Sequence, residues 1–588
     1  MGESYMSKRG SNGKLPDNSH YLRNNDRIRS DIDRISSDIV RIILNQNPTL
    51  THVISETYDF FYRNPHRKNF IFPVGFAASL VTDHLPPSKA RSFGREIFSQ
   101  IFRITFVRRL IRAKGRGIVW KQECTRSKTE GVFCGSMKRW LMLSVAVAAM
   151  TIQSAFAQSN GVSKFFPYPW TIDSLTNGLR VVTVPTEHKN LVAFYIVVRT
   201  GSRNEVEPGK SGFAHFFEHM MFRGSKNFTP DQRDALMKKA GAESNAYTSD
   251  DRTVYHALFS AADLEKIMEV EADRFQRLQY GEDVYKTEAL AVLGEYNKNS
   301  ANPLNKLWEV LRERAFTNHT YSHTTMGFIQ DIRDMPNQYQ YSLEFYKRYY
   351  RPEYTTVLLA GDVTREKNLE LVKKYFGAWE RGSYRPNIPA EPPQKQARTA
   401  SVDWPSPTLP FVVVAHRGPA YSDERKDKAA LDFLVPIAFG ENSDLYQKLV
   451  LKEQKVDMLF PSFDDQIDPE LFAVAARVKD PKDVEYVRDQ IIATFERFAD
   501  ERITQEKLDE TRAHIRYSTA LGWTSAGAIA GFLAPYIALS GTPATVDKVF
   551  ALYQQITPKD IQDNARRYFT PESRTVVTLA TRAKEETK

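Results

Sequence analysis

A chain of 588 residues, 41% of them apolar, is long enough for more than one domain. Its formal net charge of +10 is unevenly placed: residues 1–136 hold 23 Lys+Arg against 12 Asp+Glu, so the whole-chain totals of 81 and 71 leave 58 against 59 for residues 137–588. That balance excludes a basic nucleic-acid-binding surface from most of the chain. Both cysteines, Cys124 and Cys134, lie in the basic segment, which excludes disulfides and thiolate metal ligands from the rest.

Residues 1–136 carry no clear motif and are expected to be a non-native or disordered basic leader, upstream of a natural start at Met137. From there Met137-Lys138-Arg139 is a short positive start, Trp140 to Ile152 is uncharged and apolar, and Ala155-Phe156-Ala157 is a small-x-small cleavage site. Together 137–157 read as a secretory signal peptide, with an apolar run too short to span a bilayer. Cleavage would leave Gln158 as the mature N-terminus of an exported protein, with a bacterial periplasm as the expected compartment. Next come two β-branched, aromatic-rich strands, LRVVTVP from Leu179 and LVAFYIVVRTGSRNE from Leu191.

The segment AHFFEHMMFRGS from Ala214 contains His215, Glu218 and His219 in the order His-x-x-Glu-His. On a helix the two histidines are one turn apart and share a face, so two imidazoles can hold one side of a tetrahedral zinc. Glu218 lies one residue before the second histidine, within reach of a water in the open position of such a site. A catalytic zinc wants a third protein ligand, and Glu295 fills that place. Its neighbour Glu288 is seven residues earlier in EALAVLGEYNKN, two turns away on the same helical face, as expected of a carboxylate that supports a ligand. Between these segments, AADLEKIMEVEADRFQRL from Ala261 has the spacing of an amphipathic helix. His319 and His323, in NHTYSHTTMG, are expected to be surface or hydrogen-bonding residues rather than ligands.

The order of these residues is the inverzincin signature. From Trp170 to Thr581 the chain resembles the pitrilysin/insulinase family of zinc peptidases, in particular its mitochondrial-processing-peptidase-like branch of two-domain subunits. The resemblance rests on GFAHFFEHMMFRGS, on ESNAYTSDDRTVYHA from Glu243, on the Glu288/Glu295 pair and on FYKRYYRPEYTTVLLAGDV from Phe345. It implies an α+β fold of two homologous, helix-covered, mainly antiparallel β-sheet domains in tandem. It implies one zinc per chain on His215, His219 and Glu295, Glu218 as general base, and Glu288 supporting the metal site. Asn245 and Ala246 would contact the backbone of an extended peptide substrate.

The remainder of the chain supports a tandem repeat. KRYYRPEYTTVLLAG from Lys347 matches RRYFTPESRTVVTLA from Arg566 at a constant offset of 219, as two copies of one domain require. The expected division is a catalytic domain 158–380, a Pro-rich linker 381–404 and a second, inactive domain 405–588. Setting Phe439 against Phe222 puts Asp432, Val435 and Pro436 at the places of His215, Glu218 and His219, so the second copy has no zinc motif. Active relatives also carry an Arg and a Tyr, seven apart, that hold the oxyanion; the matching segment LVLKEQKVDMLF has Val450 and Asp457 there, and neither donates. Loss of one such donor costs about 10²–10³ in rate. A homologous subunit that lacks the zinc motif and supplies the Arg/Tyr pair is therefore the expected partner in a heterodimer. A non-catalytic scaffold subunit and a dedicated leader-processing protease are the competing readings.

Overall fold

The computed structural model describes residues 164–582; the basic segment 1–136, the segment 137–157 expected to be a signal peptide, and both cysteines lie outside them. The described chain builds two sheets. The first contains β1 (Thr171–Ser174), β2 (Arg180–Pro185), β3 (Leu191–Val198), β4 (Glu243–Thr248), β5 (Thr253–Ser260) and β6 (Thr355–Gly361), in the order β1-β2-β6-β3-β5-β4. The second contains β7 (Arg398–Trp404), β8 (Phe411–Arg417), β9 (Val456–Ser462), β10 (Leu471–Val478) and β11 (Arg574–Thr581), in the order β7-β11-β8-β10-β9. Without β1 the two orders are the same: in each, the first strand pairs in parallel with the last, and every other pairing is antiparallel. The repeat seen in the sequence is thus a repeat of topology.

The strands show why both faces of each sheet are covered. In β3, Phe194, Ile196 and Val198 join one buried cluster, while Ala193, Tyr195 and Val197 join another. A strand apolar on both faces must be packed on both. The first cluster is closed by helices of the same half: α1 (Phe213–Met220), α2 (Pro230–Lys239), α3 (Leu264–Arg277), α4 (Glu282–Ser300), α6 (Ile329–Asp334), α7 (Tyr339–Tyr349) and α8 (Arg365–Phe376). The helix between, α5 (Pro303–Ala315), instead lays Leu307, Leu311 and Ala315 on Val413, Ala473 and Val577 of the second sheet.

The second half returns the arrangement. Its inner face is covered by α9 (Lys426–Leu434), which runs on into a π-helical stretch Val435–Phe439, and by α10 (Val484–Asp500), α11 (Gln505–Leu521) and α14 (Pro558–Tyr568). Its α12 (Ala526–Ser540) packs Ile529, Leu533 and Ile537 on the first sheet, followed by α13 (Ala544–Gln555). Each sheet is therefore roofed by a helix from the other half. The proline-rich stretch needs one correction: β7 occupies 398–404, because parallel pairing with β11 takes its last seven residues into the second sheet, and only 381–397 is extended connector. The repeat offset of 219 carries α7 onto α14 and β6 onto β11.

Candidate active site

Helix α1 carries the histidine motif on a short, fully supported element. Gly212 precedes it at φ +90°, a conformation that favours glycine. The buried carboxylate of Glu205 accepts from the N–H groups of Gly212 and Ala214, both at 2.7 Å, and so satisfies two of the free donors at the helix start. Below the helix, Phe213, Phe216, Phe217 and Met220 are fully buried in the first core. Tyr255 Oη donates toward the Phe217 carbonyl (3.2 Å) and meets Tyr350 Oη at 2.7 Å. The apolar residues of HFFEHM thus face inward, which turns the polar residues of the same helix toward one side.

On that side three groups converge. His215 Nε2 and His219 Nε2 are 3.3 Å apart, and Glu295 Oε2 from α4 lies 3.7 Å from the first and 3.3 Å from the second. All three ligand atoms fall within 4.8 Å of one another. Two imidazole nitrogens and one carboxylate oxygen match the protein donor set of a catalytic zinc. Glu288, also on α4, holds His219 Nδ1 at 2.9 Å, which leaves Nε2 pointing at the cluster. The guanidinium of Arg223 in turn holds Glu288, with Nη2 donating to Oε1 at 3.1 Å and Nε to Oε2.

The electrostatics follow from these contacts. The hydrogen bond that His219 Nδ1 donates to Glu288 raises the proton affinity of His219 above the ordinary imidazole range. Burial, with His219 alongside, lowers His215 to about 4. Burial opposes ionisation of Glu288, but His219 and Arg223 outweigh it and hold the carboxyl below its usual range. Glu218 is pushed up by burial, against the pull of Thr248, whose Oγ1 donates to its Oε2 at 2.6 Å. Thr248 ends β4, the edge strand of the first sheet, which pairs only with β5 among the described residues. Asn245 is exposed on that strand and Ala246 is buried.

The sequence-predicted site residues are thus brought to one place: His215, His219, Glu218, Glu288 and Glu295 on two facing helices, and Asn245 and Ala246 on the neighbouring edge strand. Thr248 and Arg223 were not singled out by spacing, because each acts through a contact with a segment 30 and 65 residues away; Glu205, seven and nine residues from its partners, was missed because it holds the helix start and carries no metal-ligand spacing. His319 and His323 are buried, not superficial; His319 Nε2 meets Asp468 Oδ2 at 2.9 Å and Nδ1 accepts from the Tyr321 N–H. Val450 lies half-buried in a π-helical stretch (Gln447–Lys452) against the second core, and Asp457 pairs with Arg477 at 2.8 Å, so neither offers a donor to the site.

A helix-covered pair of repeated sheets with an inverted His-x-x-Glu-His helix and a distal Glu defines the architecture of a zinc-dependent peptidase. Family comparison agrees: the description "Insulinase (Peptidase family M16)" matches residues 180–328 and "Peptidase M16 inactive domain" matches 338–515. The chain is 31% identical over 455 residues to zinc protease PqqE of Helicobacter pylori (strain ATCC 700392 / 26695), covering 76% of this chain and 99% of that protein. It is 30% identical over 226 residues to the mitochondrial-processing peptidase subunit beta of Bos taurus, covering 38% and 45%. The crystal structure of a protease from Helicobacter pylori superimposes with a TM-score of 0.66 at 29% identity, over 70% of this chain and 99% of that one. The first half of the periplasmic protease PqqL from Escherichia coli shares the fold at 18% identity (TM-score 0.59, 70% and 92% covered). The chain belongs to the insulinase (M16) peptidase family.

Proposed function

We propose that this chain is an exported zinc metalloendopeptidase that hydrolyses extended peptides, with one zinc on His215, His219 and Glu295. The observation that carries the reading is the convergence of those three ligand atoms beside a carboxylate, Glu218, that a hydroxyl from the edge strand holds in place. Zinc at such a site supplies a Lewis acid that polarises a carbonyl and makes a water easier to deprotonate. Glu218 takes the proton from the attacking water and returns it to the leaving amine; burial raises its proton affinity toward that of a working base. Glu288 and Arg223 keep His219 in the required orientation. The free edge of β4 pairs with substrate backbone by β-augmentation, which favours unfolded segments over folded proteins.

The same reading extends to a partner. Val450 and Asp457 supply no oxyanion donor, so a homologous subunit that carries the Arg/Tyr pair completes the site in a heterodimer. The periplasm is the compartment, on the signal peptide 137–157 and on the likeness to a periplasmic protease. The test is hydrolysis of short mixed peptides by the zinc-loaded chain, with Glu218→Gln as blank. The expected result is slow turnover, about 10²–10³ below that of a site with its oxyanion donor, that the variant abolishes while it keeps its zinc. Residual turnover in Glu218→Gln rejects the base assignment. Full turnover by the chain alone rejects the need for a partner.

A further inference from the structure

The connection between β4 and β5 is short, residues 249–252, and it follows directly on Thr248, whose Oγ1 donates to Glu218 Oε2 at 2.6 Å. A hairpin loop of this size can close on its own backbone, and this one does, with the Ser249 N–H donating to the Arg252 carbonyl at 2.8 Å. Two consecutive carboxylates within it are nevertheless buried, Asp250 at 6% exposed and Asp251 at 1%. A buried carboxylate is tolerated only where its lone pairs are answered, and even then it adds little to stability. Closing the turn does not account for the pair.

Their partners do. Asp251 Oδ1 accepts from Tyr321 Oη at 2.7 Å, and its Oδ2 accepts from the Ile467 N–H, in the loop between β9 and β10, at 2.7 Å. Asp250 accepts from Arg312 on α5 at 2.7 and 3.2 Å, from Ser202 Oγ at 2.9 Å and from Gln466 Nε2 at 3.1 Å. The backbone of the turn is seated as closely. The Arg203 N–H donates to the Asp250 carbonyl at 2.8 Å, and a Cβ on Gly201 would lie 2.1 Å from the Ser249 carbonyl oxygen. The turn is thus fastened on one side to the loop that leads into α1 and on the other to the second half. Among the described residues β4 pairs on one side only, so the end that carries Thr248 takes its position from this turn.

We infer that Asp251 is a positioning residue for the base: it anchors the turn to the β9–β10 loop of the second half and so holds Thr248 Oγ1 against Glu218. The inference rests on the reading of Glu218 as general base, and it gives the half without a zinc motif a part in the chemistry of the other. Asp251 meets Tyr321, Ile467 and Arg203, and it acts on the base through Thr248.

The experiment reads geometry first, so that it does not depend on turnover. Crystal structures of the zinc-loaded full chain and of its Asp251→Ala variant are compared. In the variant the Thr248 hydroxyl moves out of hydrogen-bond reach of Glu218. In Asp251→Asn it stays, because the amide can accept from the Ile467 N–H and donate to the Tyr321 hydroxyl. Kinetics on short peptides give the second readout. Asp251→Ala lowers kcat by about 10- to 100-fold, as misplacing a catalytic group by about 1 Å does, and leaves KM unchanged. Thr248→Val lowers kcat alike, and Asp251→Ala adds no further loss in that background. Tyr321→Phe removes one donor and keeps the carboxylate; it replaces Asp251→Ala in both readouts if that variant does not fold, with a smaller effect of the same sign. An unchanged Thr248–Glu218 contact, a full further loss in the Thr248→Val background, or an Asp251→Asn variant as impaired as Asp251→Ala would each overturn the assignment. Lower thermal stability with contact and kcat intact would make Asp251 a structural residue only and overturn it too. Turnover no greater than the Glu218→Gln blank rejects the peptidase reading, while the crystal structures still decide whether Asp251 positions Thr248.

Discussion

At the residue scale the chain of contacts Arg223–Glu288–His219 is the most consequential feature that spacing alone does not reveal. Glu288 is 3% exposed, so its charge is tolerated only because His219 and Arg223 both answer it. Without the guanidinium the carboxyl loses one of its two partners, and its hold on His219 Nδ1 weakens. Arg223→Met is expected to lower zinc affinity by about tenfold or more, the usual effect of removing a group that orients a ligand. Competition with a chelator measures it, and Arg223→Lys should restore part of the loss because it returns the charge without the two-point contact. Zinc affinity unchanged in Arg223→Met would remove the residue from the site. The two histidines were legible in the sequence because one helical turn fixes their relation, and Glu295 because the family resemblance supplies a distal third ligand; Arg223 was not, because its partner is 65 residues away in the chain.

At the element scale the exchange of α5 and α12 decides how the halves are joined. Leu533 on α12 is fully buried against Val182, Ala193 and Leu358 of the first sheet, and Leu311 on α5 is fully buried against the second. Truncating such a leucine costs about 2–5 kcal/mol, depending on how far the surroundings collapse. Leu533→Ala, which sits in the second half, is therefore expected to lower the stability of the first half as well, in a single denaturant transition reported by probes in both. Two separate transitions would show that the halves fold independently. The strands and the helix Leu264–Arg277 could be read from periodicity, since β-branched runs and 3.6-residue spacing are local. The exchange could not: α12 is apolar all round, which says that it is buried but not against which sheet.

At the scale of the whole molecule, stability should depend on pH through a group remote from the site. His416 on β8 is 1% exposed, packed between Phe495 and Phe569, and its Nε2 has no partner. Burial first, and then Arg574, lower its pKa from 6.5 to about 3. The unfolded chain takes up this proton below 6.5 and the folded chain does not until far lower, so the folded state loses stability as pH falls from 6.5. The slope approaches about 1.4 kcal/mol per pH unit, or about 2 kcal/mol between pH 7 and pH 5. Denaturant unfolding at the two pH values should show that loss in the native chain and not in His416→Gln; an equal loss in both would place the sensitivity elsewhere.

The sequence by itself determined the metal-type motif, its missing copy in the second half, the two-fold repeat and the helical or strand character of the segments around them. Those follow from spacing within one element or from similarity between two segments, and neither needs long-range contacts. Only the tertiary structure decided which carboxylate meets which imidazole, that Thr248 holds Glu218, that His319 and His323 are buried and that β7 takes the end of the proline-rich stretch. It alone shows that each sheet borrows a helix from the other half. These are pairings between segments tens to hundreds of residues apart, and apolar or charged character states only that a partner is required; the packing of the two repeats selects it.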